Sequence, residues 1–221
     1  MVQIQADARG TKAHGKRREI LDAASFCFRE RGFHATGMRD VAARAGMTVG
    51  NLYYYFRNKE ELLGFCQEET LQRLDGLARE LGRSGLPAAE RLFLLIEGQV
   101  VCLNEGIPGS LAHLEIPESE GAKGDRLRKL RDRHERRIRR LIRQGMTEGA
   151  FRELDPKVAT LAILGAVNWT VRWFRPEGGA SAREIGRAFA EQLVRGLLAE
   201  GEPFEAPDDD DIPIHGEDDD E

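Results

Sequence analysis

Over nearly all of the span from residue 17 to residue 200 apolar side chains return at every third or fourth position. Nowhere in that span does the alternation of a half-buried strand take over. That period restricts the chain to an all-α fold, because a 3.6-residue repeat buries a helix face and scatters a strand's side chains over both faces of a sheet. The first helix is expected over 17–31, with Ile20, Ala24, Cys27 and Phe28 on one face and Gly32 ending it at a positive backbone angle. Short helices follow over 38–45 and 49–55. A capping box, Asn58 with Glu61, starts a longer helix reaching about Leu81. Further helices are expected over 88–105, 125–148, 156–174 and 182–199, and the Gly- and Pro-rich stretch 106–124 reads as a short helix and a loop.

Between Thr36 and Lys59 each residue type has a mechanical reason. Thr36 is placed to cap the first short helix, Ala42 is small enough for two helices to cross closely, and Gly46 permits a tight turn with φ > 0. Thr48 caps the second short helix, whose first turn then points its free N–H groups outward. These spacings make a helix-turn-helix, the second helix of which enters a DNA major groove.

At about 100° per residue, Leu52 and Phe56 mark the buried side of that second helix. Opposite them lie Gly50, Tyr54 and Asn51, with Tyr53 and Tyr55 at the boundaries. Three consecutive tyrosines cannot all be buried on two turns, so Tyr54 is expected to face outward, where its hydroxyl suits a phosphate oxygen. Lys59, at the start of the next helix, is expected to add charge beside free N–H groups for a phosphate. Arg44 reads as a solvated helix charge.

The order Thr36, Val41-Ala42, Ala45-Gly46, Leu52-Tyr53-Tyr54, Phe56, Lys59 and Leu62, without a gap, resembles the amino-terminal signature of TetR-family regulators over residues 17–63. The resemblance implies a three-helix helix-turn-helix domain, a larger helical bundle for ligand binding and dimerisation, and repression relieved by a small molecule. It carries the family's DNA contacts to Arg39, Thr48, Val49, Gly50, Tyr53, Tyr54, Tyr55 and Lys59. Asn51 departs from the Thr or Ser frequent in the family and, as a larger amide, is placed where it can read a base. The span from Leu164-Gly165-Ala166-Val167-Asn168-Trp169 through Trp173 to Leu198 resembles regulators of fatty-acid and acyl-CoA metabolism, which implies a hydrophobic or acyl-CoA-like ligand.

Expected boundaries are a flexible basic arm over 1–15, the DNA-binding domain over 16–63, the ligand and dimer domain over 64–200 and a disordered acidic tail over 201–221. The formal charge of −5 conceals this division. From Glu202 onward there are 11 acids and no Lys or Arg, which leaves 33 bases against 27 acids in the rest of the chain.

In the ligand half, Trp169 and Trp173 are expected either to wall an apolar tunnel with Phe93 or to pack in the core or a dimer. Leu161, Gly165, Leu193 and Leu197 are the candidates for a dimeric four-helix interface. The stretch 125–148 holds ten bases around an apolar stripe; its charges are either a solvated face or, through Arg133 and Arg137, a hold on ligand phosphates.

The cysteines, Cys27, Cys66 and Cys102, are odd in number and lie in apolar patterns, which points to inert buried or half-buried thiols. No nucleophile elbow, metal cluster or phosphate-cradling loop appears, so neither an enzyme nor a cofactor is expected. The start lacks a secretion signal, and the expected place of action is the cytoplasm of a bacterium, at the nucleoid, without membrane attachment. The partner expected is a pseudo-palindromic duplex operator bound by a homodimer. An architectural DNA binder without a ligand and a helical lipid or acyl carrier remain as alternatives.

Overall fold

The computed structural model describes residues 3–106 and 122–207, with side chains from 15 to 105 and from 124 to 207. Helices α1 (Gln3–Ala35), α2 (Met38–Arg44), α3 (Val49–Tyr55), α4 (Lys59–Leu81) and α5 (Ala88–Val101) are followed by one π-type turn, Cys102–Gly106. Then come α6 (Ala122–Thr147), α7 (Pro156–Trp173) and α8 (Ala182–Arg195). The described residues divide into two compact units, 3–69 with 122–127 and 70–106 with 128–207, and the division falls inside α4.

In the first unit α1 buries Ile20, Leu21, Ala23, Ala24, Cys27 and Phe28 against Val41 and Ala42 of α2, Leu52 of α3, Phe56, and Leu62, Leu63 and Cys66 of α4. The small side chain of Ala42 sits in that core. Gly32, at φ 76 and ψ 162, breaks the line of α1 as its lack of a Cβ allows. Helix α1 already begins at Gln3, so residues 3–15, expected as a flexible arm, are helical; Ala6, Ala8 and Ala13 favour the state.

In the second unit α5 is buried nearly all round, with Leu92, Phe93, Leu94, Leu95, Ile96 and Val100 all inside. Around it lie Leu77 and Leu81 of α4, Ile138 and Ile142 of α6, Ile163 and Val167 of α7, and Ala190 and Val194 of α8. Gly186 of α8 permits the approach of α5, because a Cβ there would stand 2.9 Å from the Glu97 carbonyl oxygen and 3.1 Å from Val100 Cβ.

Several ends differ from expectation. Helix α8 stops at Arg195 rather than at 199 because the chain after it pairs with the turn following α6: Arg152 N–H donates to Leu197 O (2.9 Å) and Ala199 N–H to Ala150 O (3.0 Å). Leu197, expected in a dimer interface, is buried in the unit's own core. The acidic tail begins later than 201. Phe204 packs on Phe93 (centroids 6.0 Å apart), and buried Pro207 accepts a hydrogen bond from Arg187 (2.6 Å), so an aromatic and a proline hold a segment assigned to the tail by composition. The remainder of the tail, 208–221, and most of the expected short helix and loop, 107–121, lie outside the described residues.

The thiols behave as expected of buried groups, burial pushing Cys66 up to about 12 and Cys102 up to about 11. A polar chain crosses the second unit. His134 Nε2 meets Gln99 Oε1 at 2.9 Å, and Gln99 Nε2 donates to Asn168 Oδ1 at 3.0 Å. Asn104 Nδ2 donates to Val100 O and to Thr170 Oγ1, both at 2.8 Å.

Burial, assisted by the nearby Arg137 charge, lowers His134 to about 4, so the folded chain holds it neutral while the unfolded chain protonates it near pH 6.5. The unfolded state therefore binds the extra proton between these values, and stability falls as pH drops from 6.5 to 4. This group should remove about 3 kcal/mol by pH 4. Urea unfolding of the parent and of His134→Gln across that range measures it: the parent's steeper acid loss is the expected result, and parallel curves would contradict it.

Candidate nucleic-acid interface

The turn before α3 is made by Gly46 at φ 62, with Met47 N–H donating to Ala42 O at 3.0 Å. Thr48 Oγ1 then accepts from Asn51 N–H (3.2 Å), which is the cap expected of it, and frees the rest of the first turn to face outward. Leu52 and Phe56 are both buried. Opposite them Tyr54 is 84% exposed and Tyr53 50%, while Gly50 and Asn51 are also open to solvent. Tyr55 is half-buried on the core and meets Tyr54 edge-on, ring centroids 5.3 Å apart. Val49 is half-buried against the same core, and Arg39 stands exposed at the start of α2. One face thus gathers hydroxyls, an amide and free backbone donors on a short rigid helix.

Two assignments from the sequence are corrected here. Thr36 does not cap α2: Gly37 occupies the cap position, and its N–H donates to Asp40 Oδ2 (2.8 Å). The buried Thr36 hydroxyl lies instead within hydrogen-bond distance of Gly32 O (2.8 Å) and Cys27 O (3.0 Å), sealing the end of α1. Lys59 does not present its charge to a phosphate. Its ammonium donates to the carbonyls of Phe33 (2.9 Å), His34 (3.2 Å) and Thr36 (3.2 Å) and lies 4.5 Å from the centre of the Phe33 ring. An ammonium has three N–H donors, and all three are committed to the corner between α1 and α2.

The capping box at α4 is present in shifted form. Asn58 Oδ1 accepts from Glu61 N–H (2.7 Å), but the Glu61 carboxylate reaches back to Arg57 N–H (2.8 Å). Arg57, passed over in the sequence, has an exposed side chain directly after α3; its place between Phe56 and the α4 cap was the available signal. Arg44 is not merely solvated, since its guanidinium stacks 3.8 Å over the Phe26 ring.

The residues named for a ligand do not gather as expected. Phe93 is fully buried, closed in by Phe204 and by the Arg187 guanidinium 5.3 Å from its ring centre, so it is core and not tunnel wall. Arg137 is committed to Asp75, with Nη2 2.9 Å from Oδ1 and Nη1 donating to the Asp75 carbonyl at 3.1 Å, which leaves it unsuited to ligand phosphates. Arg133 is exposed. Trp169 is 56% and Trp173 44% exposed, the latter stacked on Phe189 (centroids 6.2 Å apart). They lie on one face of α7 with Val158, Leu161 and Gly165, all exposed, which fits the packing alternative rather than a tunnel. Leu193 of α8 is half-buried. No helix among the described residues is long and apolar enough to cross a membrane.

Comparison with known proteins agrees with this geometry. Residues 20–64 match the family model for bacterial regulatory proteins of the tetR family, and residues 85–197 match that for the tetracyclin repressor-like C-terminal domain. The chain is 30% identical to the HTH-type transcriptional repressor KstR2 of Mycobacterium tuberculosis over 197 residues, covering 86% of this chain and 96% of that protein. It is 24% identical to the fatty acid metabolism regulator protein of Bacillus subtilis over 183 residues, covering 81% and 94%. The crystal structure of the TetR-family regulator PfmR from Thermus thermophilus superposes with a TM-score of 0.72 at 33% identity, covering 81% of this chain and 99% of that one. A match to both family models, together with a repressor relative over nearly its full length, means that this chain belongs to the TetR family of bacterial transcriptional regulators and is not an enzyme.

Proposed function

We propose that the protein is a homodimeric repressor that sets α3 of each subunit into successive major grooves of a pseudo-palindromic operator and is released by a hydrophobic effector. The observation that carries the reading is the division of α3 into a buried anchor, Leu52 with Phe56, and an uncovered face of Gly50, Asn51, Tyr53 and Tyr54. In this reading the Tyr53, Tyr54 and Tyr55 hydroxyls, Arg39 and the opening residues Thr48, Val49 and Gly50 hold phosphates and set register, while Asn51 reads a base edge. Arg57 supplies the phosphate charge first assigned to Lys59.

Dimerisation is assigned to the apolar face of α7. Leu161 is 50% exposed and shares its face with Gly165 and the two tryptophans, and such a surface on a soluble helix asks for a partner. A twofold pair would hold the recognition helices about 34–36 Å apart, one turn of duplex.

The effector is assigned as an apolar molecule, a fatty acid or acyl-CoA being the leading class. Support comes from the name of the Bacillus subtilis relative and from the run 164–169. It releases DNA only insofar as it binds the non-operator arrangement more tightly; about 5.5 kcal/mol of difference moves the balance from 1:99 to 99:1.

Substitutions and an effector titration check the proposal. Tyr54→Phe, measured by fluorescence anisotropy against the upstream region of the protein's own gene, should weaken binding about tenfold at constant salt. Lys59→Ala should instead lower the unfolding free energy by about 2 kcal/mol while leaving the salt dependence of binding unchanged; a salt slope reduced by about one would restore Lys59 to the phosphates. Leu161→Arg should sediment as a monomer and lose operator binding, and a dimer of unchanged strength would remove α7 from the interface. Palmitoyl-CoA titrated into the operator complex should dissociate it. If palmitoyl-CoA, palmitate and shorter acyl-CoAs all leave the complex intact, the acyl class is wrong; if hydrophobic ligands of other classes do so as well, an architectural binder is favoured.

A further inference from the structure

Helix α6 carries two kinds of cation. Some are paired with an acid in reach: Arg126 with Glu68, Arg137 with Asp75 and Arg139 with Glu135. Five more, Lys129, Arg133, Arg136, Arg140 and Arg143, are all exposed, and their spacing of four, three, four and three residues lays them along one face about 21 Å long. One acid, Asp132, is exposed beside them. Like charges three and four residues apart on a helix repel. The stripe is therefore a surface whose isolation costs stability and whose charge is best met by a polyanion.

The chain itself contains one. Residues 208–221 hold nine acids and no Lys or Arg, in two groups, 208–211 and 217–221, on either side of Ile-Pro-Ile-His-Gly. The last described residue, Pro207, is fixed to the same unit as the stripe, since its carbonyl accepts from Arg187 at 2.6 Å and the preceding Phe204 packs on Phe93. Fourteen residues extend to about 46 Å. A unit of this size measures about 35 Å across, with half its girth about 55 Å, so the segment reaches most of its surface. Tethering also holds it at an effective concentration in the millimolar range, enough for several weak, solvent-exposed contacts to act together.

We propose that the exposed cationic face of α6 is the docking site of residues 208–221 of the same chain. The segment occupies Lys129, Arg133, Arg136, Arg140 and Arg143 as a polyanion mimic and keeps other polyanions, duplex DNA foremost, from this face. Nonspecific DNA is thereby denied a second basic surface. The contact is electrostatic and gives way at high salt, where the screening length falls to a few ångströms.

Zero-length carbodiimide cross-linking of the full chain reads the contact directly, because Lys129 is the lysine of the stripe. At about 20 mM salt the expected product joins Lys129 to an acid within 208–221 inside one chain. It should vanish at about 500 mM salt and in the Arg133→Gln, Arg136→Gln, Arg140→Gln triple variant, whose glutamines keep the helix propensity of α6. Products formed only with Lys12, Lys16 or Lys59, spread evenly over all lysines, found only between differently labelled copies, or absent altogether would each overturn the proposal. A second measurement separates docking from bulk charge. Deleting 208–221 should raise affinity for random-sequence duplex about tenfold at about 50 mM salt in the parent chain, with no rise in the triple variant. An equal rise in both backgrounds would show that the acids repel DNA without docking on α6.

Discussion

A helix of seven residues is not stable in water. Nucleation costs more than two turns of hydrogen bonds return, and α3 exists because something outside it holds it. Leu52 and Phe56 are that hold, sunk into a core whose opposite wall is α1. The corner that sets α1 against α2 is in turn closed by the Lys59 ammonium on the carbonyls of Phe33, His34 and Thr36 and by the Thr36 hydroxyl beside Gly32 O and Cys27 O. The reading face is thus presented by groups that do not belong to it. In the proposed reading its exposed residues are free to be chosen for DNA, because none of them is needed to fold the helix apart from the Thr48 cap.

The second unit is built differently. With α5 buried on every side, its core is well supplied with apolar contact, and it carries polar groups that a core built only for stability would omit. Gln99 accepts from His134 and donates to Asn168, so three helices are tied by bonds with fixed donor and acceptor ends. Because Gln99 Oε1 only accepts, His134 carries its hydrogen on Nε2, and its Nδ1 is left buried without a partner. Such an orphan costs on the order of 1–3 kcal/mol. The network offsets that loss with register, since α5, α6 and α7 cannot slide past one another without breaking it.

The sequence was readable where geometry is local. The anchor and the outward face of α3 follow from about 100° per residue, and the Thr48 cap and the Gly46 turn follow from residue chemistry at fixed spacing. The role of Lys59 was not readable. Its partners lie 23 to 26 residues away and are carbonyls, which every residue has, so no side-chain pattern marks them. Phe204 was misjudged for a similar reason: its partner, Phe93, sits in a different part of the chain, and the surrounding acids outweigh one aromatic in any compositional average. On α7 both faces are apolar. Ile163 and Val167 lie along one, and Leu161, Gly165, Trp169 and Trp173 along the other. Periodicity finds two such stripes and cannot rank them; only the place of α5 decides which is core.

The proposed reading face is poor in charge, and this has a consequence for how such a protein must bind. Around α3 stand tyrosines, an asparagine, a threonine and a glycine; among the described residues Arg39 and Arg57 are exposed cations beside it, while Lys59 is committed to the corner and Arg44 lies over Phe26. Counterion release from two or so phosphates per subunit yields little affinity at physiological salt. One subunit would therefore hold DNA weakly and would prefer its site through hydrogen bonds that demand close register. Joining two such faces turns the second contact into an intramolecular one and multiplies both affinity and selectivity. If the proposed dimer forms through α7, its exposed apolar face is as much a part of operator recognition as the tyrosines are. A regulator of the proposed design would be switched off with little effort, because an effector would need only to spoil the spacing of two weak half-sites and not to compete with either.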